Sequence, residues 1–128
     1  MIIKIKKFYK LARLDKPIGI SLLLWPSLLG LLLGGVHAGS IDIMNYLIVI
    51  IGSILVRSCG CVINDISDYK IDKYVKRTAE RPLATGEITL KEAWAFFIIL
   101  SCLSLALLLT TSILTIKIAL FFALLIVI

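Results

Sequence analysis

One histidine and three cysteines are all the imidazole and thiol groups this chain has. That leaves little room for soft-ligand metal clusters or thiol catalysis. His37 has no partner acid beside it, so a catalytic role is not indicated. Cys59, Cys61 and Cys102 all lie in apolar stretches. A C-x-C inside such a stretch is not the usual zinc or redox spacing, and the three read as buried, reduced packing thiols. Charge is also missing over long runs. Ile18–Val36 carries none, and neither does Ala93–Ile116. The segment Gly34–Asp42 has no Lys or Arg. No small-residue cleavage site follows the basic N-terminus, which excludes a cleavable signal peptide.

What fills the chain instead is apolar. Of 128 residues, 60% are hydrophobic and the mean hydropathy is +1.06, whereas soluble domains run nearer half apolar. Each uncharged run is long enough to cross about 30 Å of hydrocarbon. Ile43–Ile63 also qualifies, interrupted once by Arg57. The chain therefore reads as all-α, a polytopic transmembrane helical bundle with spans near 18–36, 43–63, 93–110 and 113–128. Residues 1–16 interleave Ile2, Ile3, Ile5, Phe8 and Leu11 with Lys4, Lys6, Lys7 and Lys10, a pattern suited to a helix lying on an anionic surface. Trp25-Pro26 predicts a kink in the first span. Trp25 and Trp94 suit packing and interfacial anchoring. Thr89-Leu90-Lys91-Glu92 predicts a capping box at the start of the third span. The final L-F-F-A-L-L-I-V-I reads as a hydrophobic helix cut short, so the expectation is the N-terminal part of a longer protein.

Charge distribution says more than the net +6. Lys4, Lys6, Lys7, Lys10, Arg13 and Lys16 precede the first span. Lys70, Lys73, Lys76, Arg77, Arg81 and Lys91 lie between the second and third. By the positive-inside rule the N-terminus and the 64–92 loop face the cytoplasm of a bacterial inner membrane or its equivalent. The partner such cations imply is the lipid bilayer rather than nucleic acid.

Residues 57–72 read R-S-C-G-C-V-I-N-D-I-S-D-Y-K-I-D. On a helix with Asn64 at zero, Arg57 falls at about 20°, Asp68 at about 40°, Asp72 at about 80° and Asp65 at about 100°. Arg57, Asn64, Asp68 and Asp72 are thus expected to form one stripe, with Arg57 about 10 Å deeper than Asn64. Carboxylates one turn apart repel and favour a cation. Oxygen-only ligands suit Mg²⁺, which shares its shell with substrate phosphates. Lys73, Lys76, Arg77 and Arg81 can hold the remaining phosphate oxygens. A calcium loop is excluded by the missing D-x-D-x-D-G spacing. The plainer alternative is a solvated, charge-mixed juxtamembrane helix. Arg57, inside a span, faces protein or a water-filled cavity and needs an anionic partner. That partner is either a motif Asp or the carboxylate of a ligand that takes its bidentate fork.

N-D-I-S-D-Y-K-I-D at Asn64–Asp72 resembles the first aspartate-rich motif of the UbiA-type membrane prenyltransferases. R-L-D-K-P-I-G at Arg13–Gly19, L-L-L-W-P at Leu22–Pro26, G-C-V-I-N-D at Gly60–Asp65 and V-K-R-T-A-E-R-P-L-A-T-G at Val75–Gly86 resemble the members that prenylate 4-hydroxybenzoate in ubiquinone formation. The resemblance implies a nine-helix bundle, of which about four helices are present. It implies transfer of a prenyl chain from polyprenyl diphosphate to an aromatic ring. Asn64, Asp68 and Asp72 would hold Mg²⁺ and the diphosphate, with Asp65 beside them as a further catalytic carboxylate. Arg57 would meet the carboxylate of 4-hydroxybenzoate. Three departures stand out: no second aspartate-rich motif, Tyr69 where many relatives carry Arg, and Glu80 where Asn is frequent. The alternatives are a non-catalytic membrane fragment of a decayed gene, a prenyltransferase of the same superfamily with another aromatic acceptor, and a transporter using the acidic rim. Transport is disfavoured because coupling sites lie nearer the midplane.

Overall fold

The computed structural model describes residues 1–127. Five helices follow in order: α1 (Ile2–Leu11), α2 (Ile18–Ala38), α3 (Ile43–Asp72), α4 (Leu90–Leu109) and α5 (Ile113–Val127). Among the described residues there is no strand. α2, α3 and α4 are each long and apolar enough to cross a membrane, and α5 is a shorter apolar helix. Ile128, the expected last residue of the fourth span, lies outside the described residues. The chain is an integral membrane protein.

α3 is the organising helix. It packs against α1, α2 and α4. Its 30 residues rise about 45 Å, well beyond about 30 Å of hydrocarbon. Its last turns, which carry the acidic motif, therefore stand outside the apolar layer. The Asp42 side chain opens α3 by accepting from the Met44 N–H at 3.0 Å. The helix ends at Asp72 rather than near Tyr74. There the Thr78 hydroxyl donates to the Asp72 carbonyl at 2.9 Å, satisfying an acceptor that has no intrahelical partner.

α1 stops earlier than the amphipathic pattern suggests, at Leu11 rather than near residue 16. The reason is local. Arg13 has φ of 56°, the Leu14 N–H bonds to the Tyr9 carbonyl at 3.1 Å and the Arg13 N–H bonds to the Lys10 carbonyl at 3.0 Å. This is the paired closure that ends helices on a left-handed residue, a place normally taken by Gly. α2 continues through Pro26 without interruption.

The expected capping box is present at α4: Thr89 Oγ1 accepts from the Glu92 N–H, and Glu92 accepts from the Thr89 N–H at 2.9 Å. Glu92 also pairs with Lys4 of α1, and Phe8 meets Phe96 at a centroid distance of 5.0 Å. Leu11, Val62, Ile66, Leu83, Ile88, Ala93 and Leu100 form the core. It gathers where α1, the end of α3, the start of α4 and the 73–89 segment meet. Leu11 and Ile88 are buried completely or nearly so, each contributing about 1.5–3 kcal/mol. Residues 73–89 are thus a lobe folded back on the helix ends. α2, in contrast, buries no side chain, and its apolar surface faces outward. Of the three cysteines, Cys61 is buried, Cys59 is half-buried and Cys102 is exposed. Cys102 is therefore not a core thiol within this chain.

Candidate active site at the end of the third helix

Two clefts flank the end of α3, and the motif residues divide between them. The first, of about 390 Å³, lies between α2 and α3 and is lined by Gly19, Leu22, Leu23, Val56, Arg57, Gly60 and Asn64. Arg57 and Asn64 stand two turns apart on this wall, as the seven-residue spacing requires. Arg57 makes no ion pair among the described residues, so no motif Asp serves as its partner. Its guanidinium is open to a ligand in a cleft whose other walls are mostly apolar.

The second cleft, of about 410 Å³, lies between the end of α1, the rim of α3 and the 73–89 lobe. Lys10, Arg13, Lys16, Arg77 and Arg81 supply its cations, and Asp15, Asp65 and Glu80 its acids. Glu80 thus sits among basic groups that screen it. Asp65, 1% exposed, forms the floor. Its Oδ1 accepts from Arg13 Nη2 at 2.7 Å and from Arg81 Nη1 at 3.1 Å. The same Arg81 nitrogen donates to Asp72 Oδ2 at 3.0 Å. A buried carboxylate needs compensation of this kind, because desolvating an unpaired charge is costly.

The stripe expected to run from Arg57 through Asp72 therefore splits. Arg57 and Asn64 face the α2–α3 cleft. Asp68 is exposed on the rim. Asp72 is buried and turned toward the lobe, where it shares Arg81 with Asp65. The physical cause is the drift of the helix: Asp72 lies about 80° from Asn64 but only about 20° from Asp65. Sequence reasoning set Asp65 apart from the stripe and missed that it pairs in register with Asp72. It also assigned no role to Arg13, whose signals were its place beside the first span and in the R-L-D-K-P-I-G segment. Lys73 and Lys76 are exposed. Lys73 Nζ lies 5.1 Å from the Tyr74 ring centroid. Tyr69 packs against the core.

Asn64 and Asp68 are exposed. Asp72 commits Oδ2 to Arg81 and leaves Oδ1 reachable, since no buried side-chain oxygen among the described residues lacks a partner. Among these residues no three His, Cys, Asp or Glu side chains cluster tightly enough to hold a metal unaided. Mg²⁺ needs only one or two carboxylates when substrate phosphates and waters complete its shell. The set fits that use, with the cation arriving beside a phosphate group, and does not fit an all-protein cage.

Comparison with known proteins adds to this geometry. The family model described as the UbiA prenyltransferase family matches residues 23–128. A protein of Pseudomonas fluorescens (strain Pf0-1) named 4-hydroxybenzoate octaprenyltransferase is 50% identical over 113 residues, which are 88% of this chain and 38% of the relative. Proteins of the same name from Shewanella loihica and Pseudomonas aeruginosa PAO1 are 45% and 50% identical, over 83% and 82% of this chain and 36% and 35% of their own lengths. The chain thus spans little more than a third of the curated relatives it matches. No solved structure matches it.

Proposed function

We propose, from the premise that this chain belongs to the UbiA prenyltransferase family, that it forms part of a Mg²⁺-dependent enzyme transferring a polyprenyl group from polyprenyl diphosphate to the ring of 4-hydroxybenzoate. The observation that carries this reading is the shared cleft of Arg57 and Asn64. One wall offers a carboxylate a guanidinium that makes no ion pair among the described residues, and its upper end meets the oxygen-rich rim.

Asn64, Asp68 and Asp72 are the donors assigned to Mg²⁺. When bound, the cation neutralises charge developing on the departing diphosphate. Lys73, Lys76 and Arg77 lie on the adjoining lobe and attract the same anion. Arg81 is held by Asp65 and Asp72 at the edge of the basic cleft, where its charge favours diphosphate without a search for a rotamer. Arg57 takes the acceptor carboxylate in a bidentate grip, which turns the ring toward the rim. Leu22, Leu23 and Val56 keep water from the allylic carbocation formed as the carbon–oxygen bond of the diphosphate breaks. The ring carbon ortho to the phenol oxygen then attacks it, and that carbon loses its proton to the released diphosphate or to water as the ring regains aromaticity.

The lysine- and arginine-rich 64–92 segment and N-terminus support an orientation with both on the cytoplasmic side of a bacterial inner membrane. The reading is tested in membranes from cells expressing this chain as part of a full-length enzyme, since the chain alone spans little more than a third of its relatives. Polyprenyl diphosphate, 4-hydroxybenzoate and Mg²⁺ are supplied, and prenylated 4-hydroxybenzoate is measured. Product above the level of empty-vector membranes supports the assignment. Its absence, with the protein shown to be in the membrane, overturns it.

A further inference from the structure

Arg57 rests against a bare stretch of backbone. A β-carbon added at Gly19 of α2 would lie 2.7 Å from Arg57 Nη2, 2.8 Å from Nε and 3.0 Å from Cζ. No side chain fits there while the guanidinium keeps its place. The glycine does not serve a special backbone conformation, since Gly19 is an ordinary helical residue. Farther along the same helix, an added β-carbon at Gly30 or Gly34 meets nothing within 4 Å. Close contact with Arg57 is thus particular to Gly19.

We infer that Gly19 is a positioning residue for Arg57: by lacking a side chain it lets the Nε/Nη2 edge of the guanidinium come close against α2, at the wall of the cleft where an acceptor carboxylate binds. This rests on the reading of Arg57 given under the proposed function. The three atoms nearest a methyl group at Gly19 all belong to the end of one flexible side chain. The methyl group therefore displaces the guanidinium and leaves the backbone alone. Alanine is also the better helix former, so the substitution should not weaken the fold. Its effect belongs to acceptor recognition.

The experiment compares the parent, Gly19→Ala and Gly30→Ala proteins in membranes. KM and kcat are measured for 4-hydroxybenzoate and for its neutral carboxamide, with KM for polyprenyl diphosphate and the thermal unfolding temperature. In Gly19→Ala, KM for 4-hydroxybenzoate should rise roughly tenfold or more, the scale on which a misplacement near 1 Å acts. Preference for carboxylate over carboxamide should fall by the same factor. KM for the diphosphate, kcat at saturation and the unfolding temperature should hold, and Gly30→Ala should match the parent throughout. An unchanged carboxylate preference in Gly19→Ala, with an active parent, overturns this inference alone. So does a rise confined to KM for the diphosphate, or a fall in unfolding temperature. A parent that does not prenylate 4-hydroxybenzoate overturns the functional reading and this inference with it.

Discussion

Arg13 reaches Asp65 across 52 positions of sequence, donating at 2.7 Å from a backbone conformation that L-residues avoid. Its φ of 56° costs roughly 1–2 kcal/mol relative to a right-handed residue. The helix closure around Tyr9 and Lys10 and the ion pair to Asp65 together hold it there. Two substitutions separate these contributions. Arg13→Gly removes the ion pair and relieves the backbone, whereas Arg13→Ala removes the ion pair and keeps the strain. Thermal unfolding in detergent should find Arg13→Ala less stable than Arg13→Gly by about 1 kcal/mol. Equal stability would mean that the left-handed turn carries no cost here.

Arg81 joins two carboxylates that lie on one face of α3. Its removal leaves Asp72 buried without a partner and halves the compensation of Asp65. Arg81→Ala should therefore cost about 3 kcal/mol, in the range for breaking a buried pair by deleting one member. Arg81→Lys should recover only part of this, because an ammonium acts as a single point of charge and lacks the planar fork. Unfolding temperatures of the two variants check this; a lysine variant as stable as the parent would rule out a bridging role.

Asp68 is exposed and pairs with no cation among the described residues. Asp68→Asn should leave the unfolding temperature unchanged and lower prenyl transfer by roughly a hundredfold or more, the scale for losing electrostatic stabilisation of a transition state. Chelation of Mg²⁺ should abolish turnover in the parent while its helical circular dichroism persists, since the fold relies on ion pairs within the chain. Near-normal turnover in Asp68→Asn would remove the metal role from this residue.

Arg57→Lys keeps the charge and loses the fork. KM for 4-hydroxybenzoate should rise about tenfold with a smaller change in kcat, because a carboxylate anchor acts mainly in binding. Steady-state kinetics with varied acceptor measure it. A fall in kcat with KM unchanged would place Arg57 on the departing diphosphate instead.

The sequence was most informative where a local rule decides the structure. The long uncharged runs are the helices α2 and α4. The Thr89–Glu92 box stands where S/T-x-x-E placed it, and the seven-residue spacing put Arg57 and Asn64 on one wall. It was least informative where distant parts meet. No glycine or asparagine marks position 13 for a left-handed turn, and the carboxylate that helps hold Arg13 there lies far along the chain. The pairing of Asp72 with Arg81 depends on the lobe folding back over Leu83 and Ile88, and burial of that kind follows from tertiary packing. Gly19 was visible only as the end of R-L-D-K-P-I-G, and its use was not, because that use lies in what it leaves empty for another helix.

The shared guanidinium of Arg81 has one more consequence. It ties the cationic lobe to the acidic helix end within the protein itself, so the spacing between opposite charges is preorganised. Under the proposed reaction, an incoming pyrophosphate meets that spacing already set, and little of its binding energy goes into drawing the two halves together.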